Sequence, residues 1–199
     1  MARVRNEKNY DNARADLLTV GLRLIRSQSF KAVGINDVLK ESGVPRGSFY
    51  HYFESKEAFG LEVAKFYHAQ QIGLAQEILS NSSQSPVIRL EEFFATACND
   101  YIERGFVDGC LMCNLSTELA DTNQAFQKLL STQWAELAGE ISQCLAQMDL
   151  SEVGLQNLSN DEAADWLLNT WSGALTRMKA EQSPAPLRLF QKTIFNIKD

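Results

Sequence analysis

The sequence predicts an all-α protein of about nine helices, and three observations carry that prediction. Apolar residues recur at intervals of three and four along nearly every stretch beyond the first nine residues. No alternating run of useful length for a strand occurs. Glycine, proline and capping Ser or Asn residues fall between the periodic segments, where helices must start and stop. With 199 residues, 45% of them hydrophobic, the chain can bury a sizeable core as one or two domains.

The first nine residues carry Arg3, Arg5 and Lys8 with almost nothing apolar. They are expected to be unstructured in solution, either a solvated tail or an arm for a DNA backbone or minor groove. From Tyr10 or Asn12 an amphipathic helix runs to about Gln28, burying Leu17, Val20, Gly21, Leu24 and Ile25, and Phe30 closes a small core. A second helix starts near Ile35, with Ile35, Val38 and Leu39 on one face. It stops at Gly43, where a helix C-terminus needs a left-handed residue. Pro45 belongs in the first turn of the next helix, since its missing N–H is no loss there. A tight helix-turn-helix follows.

The helix after Pro45 has two unlike faces. Phe49, Tyr52 and Phe53 cluster on one side as an anchor, while Gly47 and His51 fall opposite, flanked by Ser48 and Tyr50, with Arg46 at the edge. Small residues at a helix start, with hydrogen-bonding rings one turn later, suit an N-terminus entering a DNA major groove. The same αα-hairpin with an aromatic anchor also serves packing alone.

Residues 10–60, with ADLLTVGLRLIRSQSF, INDVLKESGV and PRGSFYHYFESKEAF in fixed register, resemble the N-terminal domain of the TetR family of bacterial transcriptional regulators. The resemblance implies an N-terminal three-helix helix-turn-helix DNA-binding domain over residues 10–70. A C-terminal helical ligand-binding and dimerisation domain would then occupy residues 71–199. It implies a homodimeric repressor on palindromic double-stranded DNA, released by a small molecule or a chemical signal, with no cofactor. Three residues depart from the usual pattern: Gly21 where alanine is usual, Ser29 where glycine is, and Gly34 where threonine often caps the second helix. Each is expected to weaken its local helix end by about 1 kcal/mol without touching the DNA-facing residues.

Ser55 is a good N-cap and puts Lys56 in the first turn of the next helix, where a cation opposes the dipole unless an anion meets it. A DNA phosphate would do so, helped by free backbone N–H groups, and the family uses the matching lysine; otherwise Lys56 is an exposed lysine of no consequence. That helix runs to Leu79 and links the DNA-binding core to the rest of the chain. His68 on it has no acidic or cysteine partner at ligand spacing, so it reads as a surface or packing residue rather than a metal ligand.

Past the polar loop Ser80–Pro86, helices are expected at about Pro86–Arg104, Cys110–Ala120, Asn123–Met148 and Asn160–Glu181. Pro184 and Pro186 open a last one carrying Leu187, Leu189, Phe190, Ile194, Phe195 and Ile197. In the last two helices Trp166, Leu167, Trp171, Leu175 and Met178 leave more apolar surface than one internal neighbour covers, and Gly173 and Ala174 permit close approach. A partner subunit is the expected cover. The family pairs these helices with their copies as a four-helix bundle, which sets two recognition helices about 34–36 Å apart.

The net charge of −6 is unevenly spread: residues 1–60 carry +3 and residues 61–199 carry −9. That asymmetry permits phosphate contact at the N-terminal end and keeps the acidic remainder off DNA. No apolar run approaches a membrane span and no signal-peptide pattern opens the chain, so a cytoplasmic protein is expected. Four cysteines without a paired framework point to reduced thiols.

Two of them, in FVDGCLMCNLSTELAD, form a C-x-x-C pair, Cys110 and Cys113. Zinc would want a second pair at short spacing, and Cys98 and Cys144 are isolated; thioredoxin-like chemistry would want a βαβ unit. Plain packing remains, as does a thiol sensor, because Cys110 follows Gly109 at a helix start, where the dipole favours thiolate. The segment is also similar to a branch of the family in which some members sense electrophiles or oxidants through the cysteine of Gly-Cys-Leu, while others bind intact organic ligands. For the second case Phe94, Cys98, Tyr101, Met112, Trp134 and Trp171 are candidate pocket lining.

Two other function classes compete with the regulator. An enzyme would show a nucleophile elbow, a phosphate-binding glycine loop or a metal cluster, and the sequence has none; its two histidines are His51 and His68. The alternative is a helical protein-interaction adaptor without DNA binding.

Overall fold

The computed structural model describes residues 2–195, and the side chains among them from Asn12 onward. Nine α-helices occur among the described residues: α1 Ala2–Ser27, α2 Ile35–Ser42, α3 Arg46–Tyr52, α4 Lys56–Leu79, α5 Pro86–Glu103, α6 Leu111–Leu119, α7 Gln124–Leu145, α8 Asn160–Glu181 and α9 Ala185–Phe195. A short 3-10 helix, Leu150–Val153, follows α7. No strand occurs among these residues.

Helix α1 starts earlier than expected. Its backbone is helical from Ala2, not from Tyr10 or Asn12. Once a helix is nucleated, extension through Ala, Arg, Glu and Lys costs little per residue, and nothing in residues 2–9 breaks it. The side chains of Arg3, Arg5 and Lys8 lie outside the described residues, as does Ile197.

The helix-turn-helix forms for local reasons. Gly43 takes the left-handed conformation, φ 68°, and its N–H bonds to the Leu39 carbonyl, ending α2. Pro45 stands one position earlier than expected, as N-cap of α3 rather than in its first turn, and its carbonyl accepts the Ser48 and Phe49 N–H groups. At the start of α2 the Gly34 N–H donates to the Asp37 carboxylate at 2.8 Å, so the helix keeps one half of a capping box despite lacking a capping side chain.

Three phenylalanines hold α3 against α4. Phe49, Phe53 and Phe59 are buried, with ring centroids 5.0–5.4 Å apart. Gly21 belongs to this cluster: a Cβ there would stand 2.3 Å from the Phe59 ring, so glycine at this site makes room for phenylalanine. The gap left by the missing methyl is filled, and the expected weakening of α1 is offset by that contact.

Helix α4 packs on α1, on α5 and, from Gly60 to Gln76, on α7, so one continuous helix crosses the boundary expected near residue 70. His68 is buried on it, with Nε2 2.6 Å from Glu136 on α7, a partner that sequence spacing could not show.

Helix α8 departs from expectation. Leu167, Trp171, Leu175 and Met178 are buried within the chain, leaving only Trp166 of that set exposed. Both α7 and α9 pack on α8, and Trp171 also meets Phe94 of α5, so several neighbours cover a wider stripe than one would. The apolar surface that remains is a groove between α8 and α9, lined by Trp166, Ala174, Leu189 and Phe190.

Candidate DNA-reading surface and sensor cavity

Helix α3 offers its polar side outward. Arg46, Gly47, Tyr50 and His51 are exposed and Ser48 is half-exposed, while Phe49 is fully buried behind them. A Cβ at Gly47 would meet nothing within 4 Å, so the helix start is open to close approach. The Arg46 guanidinium reaches Asn36 on α2 at 3.5 Å. Five of the six expected contact residues thus share one exposed helix.

Lys56 is placed differently from the rest. Its ammonium turns back, donating to the Lys31 carbonyl at 3.1 Å and lying 4.9 Å from the centre of the Phe30 ring. Those contacts meet the charge that the helix dipole would otherwise leave unfavourable.

The second region is a cavity of about 360 Å³ among α1, α4, α5, α6, α7 and α8. Of the six candidate lining residues, Tyr101, Met112, Trp134 and Trp171 lie on its wall, and so does Cys110, which the sequence placed only at a helix start. Phe94 and Cys98 do not. Helix α5 turns Phe93, Ala97, Tyr101 and Arg104 to the cavity, a stripe at helical spacing; Phe94 and Cys98 lie one residue round, toward α9. Phe94 is packed on Trp171 and Phe190, and Cys98 is buried, with burial raising its thiol pKa.

Cys110 is the N-cap of α6, where the first N–H groups lack helical partners. Its pKa is lowered from 9.0 to about 6. A hydrogen bond from the Cys113 thiol is the largest cause; burial opposes it, and the Cys113 N–H, the Tyr67 hydroxyl and the Met112 N–H add to the lowering. The Tyr67 hydroxyl donates to Cys110 Sγ at 3.7 Å. The same pairing holds Cys113 protonated: its hydrogen bond to Cys110 raises its pKa, and burial adds to that. Cys113 does not line the cavity; its other polar neighbour is Ser172 on α8.

Sequence reasoning missed Arg26, Asp108 and Tyr67. Arg26 Nε donates to the Gly109 carbonyl at 2.9 Å and Nη2 to Asp108 at 3.2 Å, with the guanidinium 5.4 Å from the Tyr67 ring centre. Burial works against its charge, but Tyr67, Tyr101, Asp108 and Cys110 outweigh it and raise the pKa. A basic residue in the last turn of a helix looks like ordinary dipole complement, so nothing in the local sequence marks it. At the other end of α6, Glu118 accepts the N–H groups of Phe30 and Lys31 at 2.9 and 2.6 Å. Helix α6 is therefore fastened at both ends to the segment that carries α2 and α3.

Among the described residues no group of three or more His, Cys, Asp or Glu is placed to hold a metal ion, and no helix is long and apolar enough to cross a membrane.

An exposed recognition helix beside a helical body with an internal cavity defines a helix-turn-helix transcriptional regulator that binds DNA. Residues 17–63 match the bacterial regulatory proteins of the tetR family, and residues 86–194 match the tetracyclin repressor-like C-terminal domain. The chain belongs to the TetR family, whose members are DNA-binding regulators that form dimers, not enzymes.

Among similar proteins is the transcriptional repressor DhaR of Mycobacterium sp. strain GP1, 30% identical over 92% of this chain and 90% of that protein. The transcriptional regulator AcuR of Cereibacter sphaeroides is 32% identical over 91% of this chain and 83% of its own. A solved regulatory protein TetR from Rhodobacter sphaeroides superposes with a TM-score of 0.86 at 29% identity, covering 92% of this chain and 97% of that one. The reduced form of Escherichia coli NemR gives 0.84 at 28%, covering 93% and 96%.

Proposed function

We propose that this regulator is a homodimeric repressor that sits on a palindromic operator and leaves it when a thiol-reactive electrophile or oxidant modifies Cys110. Residues 10–70 form the DNA-binding domain and residues 71–199 the regulatory and dimerisation domain of a cytoplasmic protein. The observation that carries the reading is the position of Cys110: an acidified thiol on a cavity wall, next to a carbonyl held by Arg26 of α1. Modification there adds bulk beside the contact that joins α6 to the DNA-binding domain, and a shift of a few kcal/mol between two arrangements is enough to empty an operator.

Arg46, Gly47, Ser48, Tyr50 and His51 meet the bases and backbone, Lys56 meets a phosphate, and the groove between α8 and α9 is covered by its two-fold copy. Similarity to the repressors DhaR and NemR supports the sign of control.

The cavity favours a second reading, in which an intact organic ligand lies between Tyr101, Met112, Trp134 and Trp171 without reacting. One experiment separates the two. Genomic DNA bound by the protein is selected with and without N-ethylmaleimide, for the native chain and for Cys110→Ser. Release lost in the variant supports covalent sensing, and release unchanged in it overturns that reading in favour of the ligand. Absence of any preferred duplex overturns both.

A further inference from the structure

The two thiols of the C-x-x-C segment are unequal, and the inequality has a direction. Cys110 lines the cavity at the N-cap of α6, 3.7 Å from the Tyr67 hydroxyl. Cys113, three positions on, does not line it and donates a hydrogen bond to Cys110 that lowers the pKa of one thiol and raises that of the other. An oxidant arriving through the cavity meets Cys110 first. Cys113 is the thiol beside it, three positions along the chain; Cys98 is buried elsewhere, and Cys144 bonds to the Pro86 carbonyl.

We propose that Cys113 is the resolving thiol of Cys110, so that oxidation by a hydroperoxide closes a disulfide across the first turn of α6. The proposal rests on the thiol-sensor reading above and adds to it the fate of the oxidised sulfur. In the first step the Cys110 thiolate attacks the terminal peroxide oxygen and the O–O bond breaks. The alkoxide leaves with a proton as alcohol, and Cys110 becomes a sulfenic acid. In the second step the Cys113 sulfur attacks the Cys110 sulfur, the S–O bond breaks, and the departing hydroxide takes the Cys113 proton as water. Two thiols and one hydroperoxide thus give one disulfide, one alcohol and one water.

Charge orders the two steps. The largest cause holding the Cys113 proton is its hydrogen bond to the Cys110 thiolate, and that cause vanishes when Cys110 becomes a neutral sulfenic acid. Cys113 becomes a nucleophile only after Cys110 has reacted. Geometry permits closure: Cys110 is the N-cap and Cys113 the third residue of α6, the position toward which an N-cap side chain turns, and a disulfide asks for Cβ atoms about 3.5–4.5 Å apart. The first turn must tighten, and the Gly109 carbonyl held by Arg26 sits at the end that moves. An electrophile that alkylates Cys110 leaves a thioether with no leaving group, so oxidants and electrophiles give different products at one thiol.

The tryptic peptide Gly105–Lys128 carries both thiols and neither of the other two, which makes the test direct. The full-length protein is treated with one equivalent of hydrogen peroxide, remaining thiols are alkylated, and peptides are weighed. The expected peptide is lighter than the reduced one by two hydrogens, unalkylated, and restored by dithiothreitol together with DNA binding. In Cys113→Ser the expected product is a Cys110 sulfenic acid trapped by dimedone, which excess peroxide drives to a sulfinic acid that dithiothreitol does not reverse. A native peptide with Cys110 oxidised but Cys113 alkylated, or with Cys110 joined to any other cysteine, overturns the resolving role and leaves the sensor standing. Cys110 that stays alkylatable throughout overturns both.

Discussion

The Arg26 guanidinium holds the Gly109 carbonyl at 2.9 Å, which ties the last turn of α1 to the residue just before the acidified thiol. The pair joins chain positions 83 apart, and Asp108 and the faces of Tyr67 and Tyr101 surround it. In Arg26→Met the Gly109 carbonyl loses its donor and Asp108 keeps only Arg104. Urea unfolding is expected to show a loss of about 3 kcal/mol. A loss within experimental error would make the contact incidental.

Cys110, with its pKa lowered to about 6, is largely thiolate at neutral pH. Its rate of reaction with iodoacetamide should rise from pH 5 and level off by about pH 7.5, where an ordinary thiol is still gaining. Cys113→Ser replaces the strongest of the interactions that lower the pKa, so its curve should move to higher pH. A native curve still climbing at pH 9 would contradict the assigned cause.

Gly21→Ala should destabilise the protein although alanine is the better helix former. The propensity gain is about 1 kcal/mol, whereas the new methyl would stand 2.3 Å from Phe59. Forcing that ring aside costs about 1–3 kcal/mol. Thermal unfolding gives the sign, and a raised midpoint would show that the ring yields freely.

Tyr50 is 48% exposed, so Tyr50→Ala should leave stability within about 0.5 kcal/mol. Operator affinity should fall by roughly ten-fold or more where the ring reads a base edge. Lys56→Ala should lower the slope of log affinity against log salt by about one, as the loss of one phosphate contact requires. A slope that does not change would leave Lys56 as a tie to Lys31 alone.

Glu118→Gln weakens the fastening at the far end of α6, where one carboxylate serves two N–H groups. The expected cost is about 1–2 kcal/mol in urea unfolding. The informative readout is different: the variant should bind operator yet require more thiol reagent for release. An unaltered dose response would mean that the signal leaves α6 by another route.

Much of this molecule could be read from residue order, for reasons that are local. Gly43 ends α2 because a left-handed residue is needed at that one place, and Phe49 lies opposite Gly47 because 100° per residue puts it there. That Cys110 stands at a helix start follows likewise from its place at the head of an apolar helical run, although it is the N-cap of α6 rather than its first residue. The stripe on α5 shows the limit of such reasoning. Phe94 and Cys98 are as apolar and as periodic as Ala97 and Tyr101, and periodicity does not say which flank meets a cavity and which meets α9.

Helix positions, most of their ends and the outward side of α3 thus follow from the order of residues, since capping, turn chemistry and helical phase act within a few positions along the chain; the start of α1 at Ala2 does not, because nothing local marks where that helix begins. The meeting of Arg26 with Gly109, of His68 with Glu136, and of Glu118 with the loop before α2 depended on packing. Each joins groups dozens of residues apart, and only the stacking of whole helices brings such partners within hydrogen-bond reach.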